Sequence, residues 1–166
     1  MTTSKLEVIA PANEPVIITH RFIKAPPALI FQAWTTPEHL KHWLGPRELI
    51  MVSCEIDLRV GGRFRYVHRA PDGQEYAFSG KYLEIDAPRR MVCTSVFEMM
   101  PEHEAVETVT FEPEDDGTLI TTHTRHATIE GRDGHLAGGR MEAGMTDGYE
   151  RLEELAGRLM KKGASA

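Results

Sequence analysis

One long amphipathic helix is predicted for residues 138–162, GGRMEAGMTDGYERLEELAGRLMKK. Its apolar residues recur at intervals of three and four, and charged residues occupy the opposite face. The apolar positions are Met141, Met145, Tyr149, Leu152, Leu155, Ala156 and Leu159. Such a helix covers one face of an antiparallel sheet, and a sheet that curls around it encloses a cavity. This segment therefore favours a protein that holds a small molecule.

The chain before this helix consists of short β-rich segments separated by turn residues. Strands are predicted at 16–22, 49–58, 63–68, 76–85, 91–97, 105–111 and 119–125. Two short helices are predicted after the first strand, because Pro27 and Pro37 each suit the first turn of a helix. The hydroxyl of Thr36 is expected to cap the second of them. This order predicts an α+β fold with an antiparallel sheet.

Three further segments carry local predictions. Residues 1–14 are polar and irregular, and they predict a flexible tail before a single domain at 15–163. The glycine-rich stretch Thr128 to Gly139 predicts a mobile loop and a candidate gate. Gly144 and Gly148 lie inside the long helix, where glycine costs about 1 kcal/mol relative to alanine, so we expect them to permit close packing on the sheet.

The composition excludes several classes of function. The chain has 166 residues, with a formal charge of −6 and a pI of about 5.7, so duplex nucleic acid is not an expected partner. No segment resembles a secretory signal or a membrane span, and we expect a cytoplasmic protein. Cys54 and Cys93 are expected to be reduced, buried thiols, with a disulfide as the alternative.

Four motifs in order resemble the activator of heat-shock protein 90 ATPase homologue family. Residues 25–46, APPALIFQAWTTPEHLKHWLGP, resemble the opening of that family, and residues 57–64, DLRVGGRF, resemble its aspartate, arginine and paired-glycine segment. Residues 80–85, GKYLEI, followed by Pro88-Arg89-Arg90, are similar to its next hairpin. Gly144-Met145, Gly148-Tyr149, Leu152 and Leu155 are similar to the signature of its last helix. The resemblance extends from about Ile17 to Leu159.

The resemblance implies a helix-grip fold, which lipid-transfer START domains and plant pollen allergens share. In that fold a bent antiparallel sheet wraps a C-terminal helix and leaves a cavity. The family includes a co-chaperone domain, a resistance protein that sequesters its antibiotic, and many bacterial proteins of unknown role. The eukaryotic co-chaperone has an additional N-terminal domain, which the resemblance does not cover here. The single-domain form implies a bacterial source.

Aromatic and methionine side chains are the first candidates to line the cavity, because they combine large apolar area with adaptable shape. A filled core is the alternative for each of them. The residues are Trp43, Phe64, Tyr66, Phe78, Tyr82, Phe97, Met141, Met145 and Tyr149.

Histidines are the candidate polar groups of the cavity. Strand alternation places His68 on the face of Phe64 and Tyr66, and it places His123 on the face of Leu119 and Thr121. A histidine that faces a cavity can act as a base or as a hydrogen-bond donor, whereas a satisfied or solvated histidine is the structural alternative.

No cofactor or metal site is predicted. His39 and His42 share a helix face, but no third ligand has a suitable position, and solvation explains them better. Asp57, Arg59 and Arg63 surround the paired glycines, where they either tie the turn together or contact an anion.

These observations favour non-catalytic binding of a hydrophobic or amphipathic small molecule. One alternative is a stress-linked module that binds a chaperone through an exposed patch. Another is a cyclase or hydrolase that uses His68 together with Glu55 or His123. Exposed sheet edges are compatible with a homodimer.

Overall fold

The computed structural model describes residues 5–164. Its strands are β1 (Glu7–Ile9), β2 (Val16–Ile23), β3 (Ile50–Ile56), β4 (Arg63–Arg69), β5 (Glu75–Asp86), β6 (Arg90–Phe97), β7 (Ala105–Glu114) and β8 (Gly117–Arg125). Its α-helices are α1 (Pro27–Thr35), α2 (Pro37–Leu40), α3 (Ile129–Leu136) and α4 (Arg140–Ala164), and one 3-10 turn, Ala137–Gly139, joins the last two.

The strands between residues 5 and 164 form one antiparallel sheet in the order β1-β2-β8-β7-β6-β5-β4-β3. Strands β3 to β8 follow one another as neighbours in space, and β2 pairs with β8 to extend the sheet. The sheet curves, and α4 is the long C-terminal helix that it holds. The predicted α+β helix-grip fold is confirmed, with two short helices after β2, the strand that was predicted as the first.

Strand register gives the sheet two distinct faces. Along β8, alternate residues from Thr118 to Thr124 are buried, whereas the residues between them are partly exposed. Their partners on β2, from Ile17 to Ile23, are buried as well, and so are Val109 and Phe111 on β7. Helices cover the face that carries these residues, and we call it the concave face. The opposite face is called convex.

Helix α4 packs toward the concave face through buried residues such as Tyr149 and Leu152. Gly144 and Gly148 instead face the chain just after α2, and a Cβ at Gly148 would lie 3.1 Å from the carbonyl oxygen of Trp43. The predicted close packing is therefore present, but its partner is that connection and not the sheet. The backbone of α4 approaches α1 and α3 and stands off from the strands, so side chains line or fill the space between helix and sheet.

The first strand of the structure lies inside the segment predicted as a tail. Strand β1 pairs with β2, with Val8 opposite Thr19, so the prediction of a loose tail is wrong for Glu7–Ile9. Residues 1–4 lie outside the described chain. A strand of three residues has no stability on its own. It forms here because backbone groups at the edge of β2 are free to pair with it, and the sequence of residues 7–9 does not predict this pairing.

The glycine-rich stretch after β8 contains helix α3 and not the predicted loop. Thr128 caps the helix, since its hydroxyl accepts a hydrogen bond from the Gly131 N–H at 3.0 Å. The guanidinium of Arg132 is buried and donates to the carbonyl oxygens of Pro11, Glu14 and Val16 at 2.8, 3.0 and 3.0 Å. These long-range bonds hold a helix whose glycine content would disfavour it in isolation.

Two smaller predictions have opposite outcomes. Pro37 begins α2 as expected, but the Thr36 side chain makes no capping hydrogen bond. Cys54 and Cys93 are free thiols, as predicted.

No helix among residues 5–164 combines the length and the apolar character that a bilayer crossing requires.

Candidate functional site

One half of the concave face is a closed core over β2, β8 and β7. Trp43 is 2% exposed, donates its indole N–H to the Ala33 carbonyl oxygen at 2.9 Å, and stacks on Tyr149 with ring centroids 6.3 Å apart. Trp34 and Phe111 pack edge to face beside this pair. Two of the predicted cavity residues, Trp43 and Tyr149, therefore belong to this closed half.

The other half, over β4, β5 and β6, carries a continuous row of aromatic rings. Centroid distances between successive rings are 5.4 Å for Tyr82 and Phe64, 6.3 Å for Phe64 and Tyr66, 5.4 Å for Tyr66 and Phe78, and 5.0 Å for Phe78 and Phe97. We call these five residues the aromatic row. Tyr82 is buried, whereas the other four residues are only partly buried.

His68 lies next to the aromatic row and is 3% exposed. Its ring lies directly under Gly45, where a Cβ would approach the imidazole Cε1 to 2.9 Å, and Gly45 has a φ of +93° that glycine adopts readily. Its Nδ1 has no hydrogen-bond partner within the described chain. Burial, with a smaller contribution from the charge of Arg151, lowers the pKa of His68 to about 4.

The lowered pKa predicts that His68 makes the fold sensitive to acid. The unfolded chain takes up a proton as pH falls below the ordinary value of 6.5, whereas the folded chain does so only near pH 4, so stability falls over this interval. The expected loss is on the order of 3 kcal/mol. Urea unfolding of the wild type and of His68→Leu between pH 7 and pH 4 measures it. The prediction would be contradicted if the free energy of unfolding fell equally with pH in the two proteins.

Glu107 on β7 is the acidic group of the concave face that sequence reasoning missed. It pairs in register with Cys93 on β6 and Thr124 on β8, both of which are buried on that face. The Thr124 hydroxyl donates to its Oε2 at a long 3.4 Å. Burial raises the pKa of the Glu107 carboxyl. The alternation of Ala105, Glu107 and Val109 was the signal, because it puts a carboxyl in an apolar series.

The groups around Glu107 are uncharged at neutral pH. Burial, followed by the Glu107 charge, raises the pKa of Tyr66, Cys93 and Tyr149. The Tyr149 hydroxyl lies near Thr19 but makes no well-formed hydrogen bond. The interior thus contains a carboxyl with one long hydrogen bond and, on Tyr149, a buried hydroxyl without a partner in the described chain.

The placement of His123 corrects a prediction. It does lie on the face of Leu119 and Thr121, but it pairs with Ile18 and Thr108 on the convex face. It therefore has no part in the interior. The sequence pattern specifies which residues share a face of β8, but the neighbouring strands decide which face is covered.

The partners predicted for a catalytic His68 are also absent. Glu55 pairs with Arg65 on the convex face of β3, because its neighbours Cys54 and Ile56 take the concave positions. Neither Glu55 nor His123 can therefore meet His68 at one ligand atom. The pairs offered as examples for the enzyme hypothesis therefore do not form.

The remaining predicted residues lie outside the aromatic row. Met145 packs against the closed core, and Met141 is partly exposed one turn earlier on α4. Arg59 pairs with Asp57 at 2.8 Å on the surface, which agrees with the interpretation that these charges tie the turn together. No group of three or more potential metal ligands is clustered within residues 5–164.

Solved structures of bacterial proteins share this architecture. A protein from Rhodobacter sphaeroides superposes with a TM-score of 0.84 and 24% identity, covering 93% of this chain and 99% of its own. A Nitrosomonas europaea protein gives 0.80 and 26%, covering 92% and 99%. A Mycobacterium smegmatis protein gives 0.80 and 24%, covering 90% and 94%.

Sequence comparison gives the family. No curated protein matches the chain. Residues 24–157 match the family model described as activator of Hsp90 ATPase homolog 1-like protein. That segment includes strands β3 to β8, His68, Glu107 and most of α4, whereas β2 precedes it. The match spans most of the chain, and the protein therefore belongs to the activator of Hsp90 ATPase homolog 1-like family.

Proposed function

We propose that this protein binds a hydrophobic or amphipathic small molecule between the sheet and α4, without catalysis. The observation that carries the proposal is the aromatic row, whose Phe64, Tyr66, Phe78 and Phe97 occupy concave positions and yet remain partly exposed. Concave positions in a completed core are normally buried, as they are on β8. Partly exposed aromatic residues at such positions are what a ligand pocket requires.

Unsatisfied polar atoms add to this argument. The Nδ1 of His68 and the hydroxyl of Tyr149 are buried without partners in the described chain. Buried polar atoms in folded proteins are rarely left unpaired, and water or a ligand commonly completes them. A bound molecule with one or two polar atoms could form hydrogen bonds to these two groups, which have no partner in the described chain.

Substitution within the aromatic row is expected to weaken ligand binding. N-phenyl-1-naphthylamine, a neutral fluorescent compound, should bind saturably at one site per chain. Phe78→Ala should reduce its affinity about tenfold, because removing the ring loses apolar contact and stacking that together amount to about 1.4 kcal/mol. Fluorescence titration measures both quantities.

Phe22→Ala is the matched control for this experiment. Phe22 is also partly exposed and also lies in a strand, but it pairs with Leu119 on the convex face. It should leave the affinity unchanged. The absence of saturable binding to the wild type, or equal losses in the two variants, would count against the proposed cavity. Native mass spectrometry of protein purified from its own host would then test for a molecule that co-purifies.

A chaperone-associated role is a second candidate, and one surface observation favours it. Exposed apolar side chains lie on edge strand β3 and the turn after it, namely Ile50, Val52, Leu58 and Val60. Exposed apolar residues beside an open strand edge suit a protein partner, either a chaperone or a second copy of the chain. Affinity capture of the bacterial Hsp90 with the wild type and with Ile50→Lys would test the first, and sedimentation would test the second. In either case we propose a cytoplasmic location.

A further inference from the structure

Glu107 is the one carboxylate that the strand register places on the concave face of the described sheet. The other charged strand residue of that face, Arg21, has its own partner, since it pairs with Glu153 of α4 at 3.2 Å. Glu107 has only the long hydrogen bond from Thr124, and no cationic side chain of residues 5–164 contributes to its environment. A charge complement for this carboxyl is therefore missing from the part of the chain that the structure describes.

Every element packed around Glu107 presents neutral groups. Thr124 lies on β8 and Cys93 on β6, while Tyr66 on β4 and Tyr149 on α4 interact with its charge across the interior. An ionised carboxylate in such surroundings is costly, and burial raises the pKa of the Glu107 carboxyl. A cationic ligand would remove this penalty by pairing with the ionised form.

The aromatic row would contact the rest of a cationic ligand that pairs with Glu107. Tyr66 stands between Phe64 and Phe78 in the row and is close enough to Glu107 to interact electrostatically with it. Aromatic faces attract ammonium groups as well as apolar rings. The formal charge of −6 on the whole chain also favours cations over anions.

We propose that the natural ligand joins an aromatic or apolar body to a protonated amine, with the body on the aromatic row and the ammonium group donating to Glu107. This inference rests on the proposed cavity binding and makes it more specific. The step balances, because a protonated Glu107 carboxyl releases its proton to solvent when the charged amine binds. Affinity for an amine should therefore rise with pH as Glu107 ionises, while the affinity for a neutral analogue stays constant.

Three probes that share a naphthalene ring test the proposal by isothermal titration calorimetry. They are 2-naphthylmethylamine, which is protonated, 2-naphthylmethanol, which is neutral, and 2-naphthoate, which is an anion. The wild type should bind the amine at least tenfold more tightly than the alcohol, and the anion most weakly. Glu107→Gln should weaken the amine tenfold to a hundredfold, as expected for a charge-assisted hydrogen bond, and should change the alcohol less than about twofold.

Glu112→Gln is the matched control, because Glu112 is an exposed carboxylate on the same strand. It should bind all three probes like the wild type. Equal affinity of the wild type for amine and alcohol would overturn this inference but leave the proposed cavity intact. Failure of every probe, together with N-phenyl-1-naphthylamine, would overturn both. If Glu107→Gln does not fold, the pH dependence of amine binding to the wild type tests the inference instead. An affinity for the amine that does not change with pH would overturn it.

Discussion

Replacing Trp43 with alanine is expected to lower the free energy of unfolding by about 3–5 kcal/mol. The indole is 2% exposed, stacks on Tyr149 and donates to the Ala33 carbonyl oxygen. The smaller side chain would leave a cavity where α1, the connection after α2, and α4 meet, and it would leave a buried acceptor without its donor. Chemical denaturation at neutral pH measures the loss.

Two further variants separate the causes of this loss. Trp43→Phe keeps most of the packing and removes the indole N–H, so it should cost an intermediate amount. Met99→Ala changes an apolar side chain that is 59% exposed, and its effect should stay within about 0.5 kcal/mol. A loss below about 1 kcal/mol for Trp43→Ala would mean that the closed half of the concave face does not carry the stability we assign to it.

Arg132→Ala should destabilise the protein by a comparable 3–5 kcal/mol or so. The guanidinium donates to three main-chain carbonyl oxygens, and hydrogen bonds that involve a charged group contribute about 1.5–3 kcal/mol each. These bonds connect α3 to the chain on either side of the start of β2. The helix has a weak intrinsic propensity, so we expect α3 to unfold before the sheet.

Hydrogen exchange and urea denaturation together measure this effect. In Arg132→Ala the amides of α3 should exchange much faster, while those of β7 and β8 change only as far as global stability falls. Arg132→Lys keeps the charge, but its Nζ ends one bond short of the Nη1 that makes all three contacts, so it should rescue only part of the loss. Arg140→Ala, at an exposed position at the start of α4, should have little effect. Retained protection of α3 in Arg132→Ala would disprove the anchoring role.

The candidate site could be predicted from the sequence only in part. Alternation along β4 correctly puts Phe64, Tyr66 and His68 on one face, because side-chain direction in a strand is a local property. The same reasoning failed for His123, since alternation does not say which face of β8 the helices cover. It also overlooked Glu107, whose significance depends on the strands and the helix around it.

Local sequence determined the helix-grip order of this protein. Helical periodicity from Met141 to Leu159, turn residues between the strands, and proline at the starts of α1 and α2 act over a few residues, so they can be read without a structure. Only the tertiary structure decided the contacts between distant residues. It paired β1 with β2, ordered α3 through Arg132, divided the concave face into a closed core and an accessible aromatic row, and left Glu107 without a cation. Those outcomes depend on hydrogen bonds and burial between segments that are as much as 121 residues apart, so no local sequence pattern predicts them.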